Sequence, residues 1–300
     1  MSPLWDARSL IAALGATGDG FDINGIAFDT RALAPGDLFI ALKGERDGHD
    51  FVAEAISKGA AGALVSQDMP GPVLRVDDTL HALTRLAVAA RARTKARIIA
   101  ITGSVGKTTT KEMLRRTLSV FGTVHAAESS FNNHIGVPLT LARMSPAADF
   151  GVFEIGMNHP GEIQPLATLV QPDVSIITCI DRAHLGLMGS QDAIAVEKAS
   201  IFAPLRSGGV AVLPADSAYA PQLAAAVPAG ARKLVFGVRQ TEARLIAAAS
   251  TPQSCEIHAV IGGVAVRLRL DLEEHHVERA AHALRRRHAM IGQTLGEVAH

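Results

Sequence analysis

An α/β fold with a mainly parallel sheet is what this sequence predicts, on three observations. Short apolar runs alternate with helix-length segments, the runs are largely uninterrupted and β-branched, and glycine turns separate them. Uninterrupted apolar strands suit a sheet covered on both faces, whereas a strand with one wet face alternates. With 300 residues against the roughly 50 to 200 of a usual domain, two units are expected. The first is a small N-terminal α/β unit over 1–78, and the second is a larger central unit over 79–300.

The elements follow in order. INGIAFDT, DLFIAL, AGALVS and PVLRV read as strands of the first unit. Between the second and third lies FVAEAISKGA, where Phe51, Ala55 and Ile56 share a helical face and Gly59 is placed to end the helix. From Thr79 to about Thr94 the spacing of Leu80, Leu83, Leu86 and Val88, free of Gly and Pro, predicts a helix, so the boundary falls near Asp78. RIIAIT, DFGVFEIG, DVSIITCI, GGVAVLPAD and KLVFGV are the expected strands of the second unit. After RIIAIT, KEMLRRTLSVFG predicts a helix whose buried stripe is Met113, Leu114, Leu118 and Phe121.

Composition excludes several classes. Lys+Arg and Asp+Glu both total 29, so nothing in the balance draws the chain generally to nucleic acid or an anionic membrane. The start, MSPLWDARSL, lacks a basic segment followed by an apolar run. No stretch approaches the roughly 18 to 20 apolar residues of a membrane helix. Cys179 and Cys255 stand far apart without a CxxC, which argues against a disulfide framework or zinc site. The expectation is a cytoplasmic protein that recognises its partners locally, without nucleic acid or membrane insertion.

The chemistry is concentrated at ITGSVGKTTTKEM, residues 101–113. The ordinary phosphate loop reads G-x-x-x-x-G-K-[ST]; here only Ser104 and Val105 separate Gly103 from Gly106. The context is nonetheless right, because an apolar strand runs through the glycine turn into a helix, and backbone N–H groups converge there on an anion. Gly103, Ser104, Val105, Gly106, Lys107, Thr108 and Thr109 are the expected nucleotide-binding residues. Lys107 can bring charge to the terminal phosphates, and the hydroxyl of Thr108 or Thr109 can reach a magnesium ion.

TGSVGKTT resembles the T-G-x-x-G-K-T-[ST] loop of the ATP-dependent Mur ligase family and its folylpolyglutamate synthase relatives. SSFNNHIGVPLTL (129–141), FEIGMNHPGEI (153–163), DRAHLGLMGS (181–190) and AVEKASIF (195–202) occur in the order seen in the members that add D-alanyl-D-alanine to a UDP-N-acetylmuramoyl-tripeptide. FDTRALAPGDLFIALKGERDGHDFVAEAISKGAAGALVS (28–66) is similar to their UDP-sugar domain. The resemblance covers about residues 20 to 270.

It implies ATP and Mg2+, with an acyl phosphate formed before the amine of D-alanyl-D-alanine attacks. Lys107, Glu154, His184 and Lys198 become the catalytic set. Thr108, Glu154, His184 and Lys198, the last carbamylated by carbon dioxide, become metal ligands. Thr30, Arg31, Asp47, Gly48, His49, Asn132 and Asn133 become substrate-binding residues, with His134 beside them. The family often carries Glu two places after this lysine; here Ser200 stands there.

Two departures bear on activity. The resemblance leads one to expect a third, closing domain, which this sequence does not contain, so the central unit is expected to be incomplete at its C-terminal end. HHVERAAHALRRRH (275–288) is rich in His and Arg where the family has an apolar helix with an adenine-side asparagine. A solvated basic helix is one reading of that segment; a pair of compensating frame slips, the second near His288, is the other, and it also accounts for the family-like AMIGQTLGEVAH that follows. Another carboxylate-amine ligase, either a sister Mur enzyme or a folylpolyglutamate synthase, remains open, as does a non-catalytic nucleotide- or precursor-binding remnant.

Overall fold

A computed structural model describes residues 2–127, 131–183, 185–238, 242–250 and 254–271. Helix α1 (Ala7–Leu14), capped by the Asp6 carboxylate on the Ser9 amide, precedes a four-stranded parallel sheet. Its strands β1 (Gly25–Ala27), β2 (Asp37–Ile40), β3 (Gly62–Val65) and β4 (Val73–Arg75) lie side by side in chain order. Helix α2 (Val52–Ser57) crosses between β2 and β3 and stops before Gly59, as that glycine's position predicts.

Every residue of β2 is buried, and its alternation sorts them onto two faces. Phe39 joins Val52, Ala55, Ala63 and Val65 under α2, with Phe51 and Ile56 packed at the margin. Leu38 and Ile40 point the other way, into the cluster containing Leu10, Leu14, Leu64, Leu74 and Leu83. Two covered faces are what the uninterrupted apolar runs require.

Helix α3 (Thr79–Arg93) starts where the Asp78 carboxylate accepts the His81 amide at 2.6 Å. Ala82, Leu83, Leu86, Ala87 and Ala90 are buried along it, whereas Val88, expected with Leu83 and Leu86, is 53% exposed and lies off the buried stripe. Burial of Leu83 and Leu86 contributes roughly 1.5–3 kcal/mol each.

The second sheet begins with β5 (Arg97–Thr102), helix α4 (Lys107–Leu118), β6 (Val124–Ala126), α5 (Gly136–Ala142) and β7 (Phe150–Glu154). Helix α6 (Ile163–Val170), β8 (Val174–Ile177), the single turn α7 (Leu185–Met188), α8 (Gln191–Ala199) and β9 (Val210–Pro214) follow. Helix α9 (Ala220–Ala225) leads to β10 (Arg232–Gly237), β11 (Ala243–Ser250), β12 (Ser254–Ile261) and β13 (Val264–Asp271). The sheet order is β13-β12-β11-β10-β9-β8-β5-β7-β6, parallel from β6 through β11 and antiparallel at β12 and β13.

Helix α4 corrects one expectation. Leu114 and Leu118 pack onto the sheet beside Ile99, Ile101 and Val152, but Phe121 is 75% exposed and Met113 also faces outward. The covered stripe is Lys111, Leu114 and Leu118, because a residue one place from Leu114 lies about 100° around the helix. Lys111 is fully buried and donates to the Ala127 carbonyl at 2.5 Å.

The two sheets share one wall. Helix α3 packs against α1 on one side and α5 and α6 on the other. The indole of Trp5 donates to the Ala142 carbonyl at 3.1 Å, and the Arg93 guanidinium lies 3.3 Å above its ring. Arg143 donates back to the Ile26 carbonyl at 2.6 Å. Among the described residues, no helix is long and apolar enough to cross a membrane.

Candidate active site

Strand β5 is flanked by β8 on one side and β7 on the other, so the order in which strands are added to the sheet reverses there. In open α/β sheets ligands collect beyond the carboxyl ends of strands at such a switch point. The phosphate-type loop, Glu154 and Thr178 leave the sheet at this place, with Glu154 in register with Ile101.

The shortened loop is built around its glycines. Gly103 has φ +150°, and a Cβ there would stand 1.9 Å from Thr178 Oγ1. Gly106 caps α4 at φ +86°, a left-handed conformation that L side chains resist. The residues after β8, expected to extend that strand, instead turn onto the loop. The Ser104 amide donates to the Cys179 carbonyl at 3.0 Å, the Ser104 hydroxyl donates to the Asp181 carbonyl at 2.9 Å, and the Thr178 hydroxyl donates to the Val105 carbonyl at 2.6 Å. These bonds hold the loop against β8, so the amides at the N-terminus of α4 converge where an anion would sit. Thr102 Oγ1 is buried at the strand end with no hydrogen-bond partner among the described residues.

Glu154 is 3% exposed, and two neighbours hold it. The Thr108 hydroxyl donates to Oε2 at 2.9 Å and the Asn132 amide donates to Oε1 at 2.8 Å. A buried carboxylate requires such partners, because charge without them is expensive away from water. Asn132 is placed by its own carbonyl, which accepts the Gly156 amide at 2.8 Å. Asn133 is occupied differently: its side-chain oxygen accepts the Ile135 and Gly136 amides at 3.1 and 2.9 Å at the start of α5. His134 is exposed, and Thr109 is half-buried in the first turn of α4.

Lys107 folds back to donate to the Gly103 carbonyl at 2.8 Å. Burial holds its ammonium below the usual lysine range, with Glu154 acting in the opposite direction. Lys198 is 1% exposed on α8, and burial, reinforced by the charge of Lys107, pushes its pKa down to about 8. Lys107 therefore lies near enough for its charge to act on Lys198. His184 lies outside the described residues, as do Ser129, Ser130 and the 275–288 segment. Among the described residues, no three His, Cys, Asp or Glu side chains form a metal-binding group.

The residues expected to hold substrate fall in two local networks of the first unit. The Arg31 guanidinium is 84% exposed and pairs with Asp29, whose carboxyl is held at about 2 by that hydrogen bond. The Thr30 hydroxyl donates to Glu54, which also pairs with Lys58. His49 is buried and fully engaged: the Ser66 amide donates to Nε2 at 2.9 Å, leaving Nδ1–H to donate to Asp47 at 2.5 Å. Both ring nitrogens are engaged in this arrangement, and the imidazole braces Asp47 against Ser66.

Sequence reading missed two connections. Phe28 meets Phe131 edge-on, with ring centroids 6.1 Å apart, bringing the Asp29–Arg31 turn against the Asn132 segment. Glu197 reaches from α8 to the Gly161 and Ile163 amides at 2.7 and 2.8 Å. Neither belongs to a local motif, and the only signal was an acidic residue beside Lys198 on a helix otherwise apolar at that face.

Comparison with known proteins bears on family and fold. The Mur ligase middle domain model matches residues 101–277, and the model described as Mur ligase family, catalytic domain, matches residues 22–91. UDP-N-acetylmuramoyl-tripeptide--D-alanyl-D-alanine ligase of Bacillus subtilis (strain 168) is 44% identical over 200 residues, covering 65% of this chain and 44% of the relative. A crystal structure of MurF from Acinetobacter baumannii superposes with a TM-score of 0.80 at 32% identity, over 93% of this chain and 64% of that one. MurF ligase from Thermotoga maritima in complex with ADP gives a TM-score of 0.70 at 26% identity, over 82% and 58%. The chain spans about half the length of the curated relatives it matches.

Proposed function

This chain belongs to the Mur ligase family, and we propose that it carries the nucleotide and sugar-nucleotide sites of an ATP-dependent ligase joining D-alanyl-D-alanine to UDP-N-acetylmuramoyl-tripeptide in peptidoglycan precursor synthesis. The observation that carries this is the Thr108–Glu154–Asn132 cluster at the mouth of a phosphate-type loop. The names of the relatives supply the substrates. A UDP-linked substrate fits a cytoplasmic setting, and the division into 1–78 and 79–300 is retained as the functional one.

The Thr108 hydroxyl and Glu154 carboxylate are hard oxygen donors 2.9 Å apart, which suits magnesium better than a softer metal. Thr108 and Glu154 would hold magnesium here, and its charge would offset that of the phosphate oxygens. His184 and a carbamylated Lys198 complete the proposed second metal set. Carbamylation needs a neutral amine to attack carbon dioxide, and the depressed pKa of Lys198 makes one available near neutral pH.

In the proposed reaction a tripeptide carboxylate oxygen attacks the γ-phosphorus and ADP leaves. The dipeptide amine then attacks the acyl carbon, phosphate departs and the amine loses a proton. The carboxylate must approach a polyanion, so Lys107, the loop N–H groups and the α4 terminus act together to lower that repulsion. Asn132 holds Glu154 in place, while the Asp29–Arg31 turn and the Asp47–His49 brace face the sugar nucleotide.

Calorimetry of the purified chain with ATP and magnesium, then with UDP-N-acetylmuramoyl-tripeptide, tests the two sites separately. Phosphate release that needs both co-substrates establishes ligation. ATP binding without release reassigns the chain to nucleotide binding alone, and failure of any uridine nucleotide to bind removes the peptidoglycan reading.

A further inference from the structure

We propose that Glu197 is a positioning residue: by clamping α8 to the N-terminus of α6, it sets Lys198 inside the phosphate site. Glu197 is buried, and each of its carboxylate oxygens accepts a backbone amide from a segment more than thirty residues away, Gly161 at 2.7 Å and Ile163 at 2.8 Å. Helix α6 has no local side-chain cap. The Glu162 carboxylate is turned back onto the Asn158 amide at 2.6 Å. The remote carboxylate therefore satisfies amides that the helix would otherwise leave unpaired, and its charge is favourably placed at the positive end of the helix dipole.

The consequence for Lys198 follows from helix geometry. Adjacent residues sit about 100° apart around the axis. Two bonds from one carboxylate to two different amides fix the rotation of α8, and with it the direction of the next side chain. At the far end the Tyr219 hydroxyl donates to Asp192 at 2.7 Å, so the helix is tethered at both ends. Lys198 is thereby held fully buried beside Lys107, although no hydrogen bond or ion pair to a described residue fixes its own amine. The Glu that the resemblance expects at position 200 is a serine, whose hydroxyl donates to the Glu197 carbonyl at 2.6 Å.

The proposal rests on reading Lys198 as a site residue, but its test does not require ligation. The full chain is treated with acetic anhydride and lysine acetylation is followed by peptide mass spectrometry. Lys111, equally buried but on α4, reports whether the fold persists, and exposed Lys233 reports reagent activity. In the parent chain Lys198 and Lys111 should both react slowly. In Glu197→Ala the Lys198 rate should rise about ten-fold or more, the factor expected for losing charge-assisted hydrogen bonds, while Lys111 stays protected. Glu197→Gln, which keeps the shape and one acceptor, should show a smaller rise at Lys198 alone.

Unchanged protection of Lys198 in both variants overturns the proposal. So does a parallel rise at Lys198 and Lys111 in Glu197→Gln, since that marks general loosening; if Glu197→Ala unfolds, the glutamine variant decides. Failure of the parent chain to bind ATP would sink the functional reading, whereas the labelling pattern would still decide the role of Glu197.

Discussion

Replacing Gly103 with alanine tests how the shortened loop is held. The new Cβ would stand 1.9 Å from Thr178 Oγ1 and 3.1 Å from both Thr178 Cβ and its backbone nitrogen, at φ +150°. Rotating the threonine clears its oxygen but sacrifices the 2.6 Å bond to the Val105 carbonyl and leaves the two tighter contacts in place. Overpacking, one lost hydrogen bond and backbone strain together cost about 3–5 kcal/mol. That is a large share of the roughly 5–15 kcal/mol of a typical fold. Urea unfolding should show this loss, and calorimetry should show ATP binding abolished. Adding Thr178→Ala should recover at least about 1 kcal/mol in a double-mutant cycle, because it removes the oxygen that clashes. A Gly103→Ala protein within about 0.5 kcal/mol of the parent, binding nucleotide normally, would refute the account of the loop, since that is the scatter of neutral surface changes.

Glu154→Gln keeps the shape of the Thr108 and Asn132 contacts but removes the charge, so magnesium-dependent nucleotide affinity should fall roughly 10- to 100-fold with little change in stability; an unchanged magnesium dependence in titration calorimetry would remove Glu154 from the metal set. Lys198 yields a pH prediction. Its folded pKa of about 8 lies below the ordinary value of 10.5, so the burial penalty is fully present below about 8 and is relieved as pH rises toward 10.5. Stability should therefore climb through that window by on the order of 3 kcal/mol, and Lys198→Met should flatten the slope in urea titrations at each pH. Trp5→Phe loses the bond to Ala142 and weakens the stacking of Arg93, costing about 1–3 kcal/mol in thermal unfolding followed by circular dichroism; no measurable loss would show that the contact between the two units is dispensable.

Much of this organisation is local and therefore visible in the chain before folding. Burial of β2 on both faces follows from an apolar run, the start of α3 from the Asp78 cap, and the loop from glycines flanking Ser104 and Val105. Such features depend on residues a few places apart, whose spacing dictates the backbone. A helix after the loop was legible too, but it spans Lys107–Leu118 and ends before Phe121, and its buried side was not legible. Periodicity marks an apolar stripe; it does not reveal that Lys111 would occupy the covered face while Phe121 projects outward. Strands β11 to β13 escaped detection because ARLIAAAS, SCEIHAVI and VAVRLRLD mix polar and apolar residues, and their pairing is settled by the neighbouring strand.

The site divides along the same line. Residue types at fixed spacing announced a phosphate-binding turn, and a strand-end carboxylate at Glu154 could be singled out from the sequence. That Glu154 is gripped by Thr108 and Asn132, that His49 is consumed as a brace, and that Glu197 reaches α6 from α8 depended on side chains meeting across long sequence separations. Spacing along the chain governs which conformations a segment can adopt, whereas a carboxylate and its partner are joined only when two separately formed segments pack, and packing is a property of the whole core.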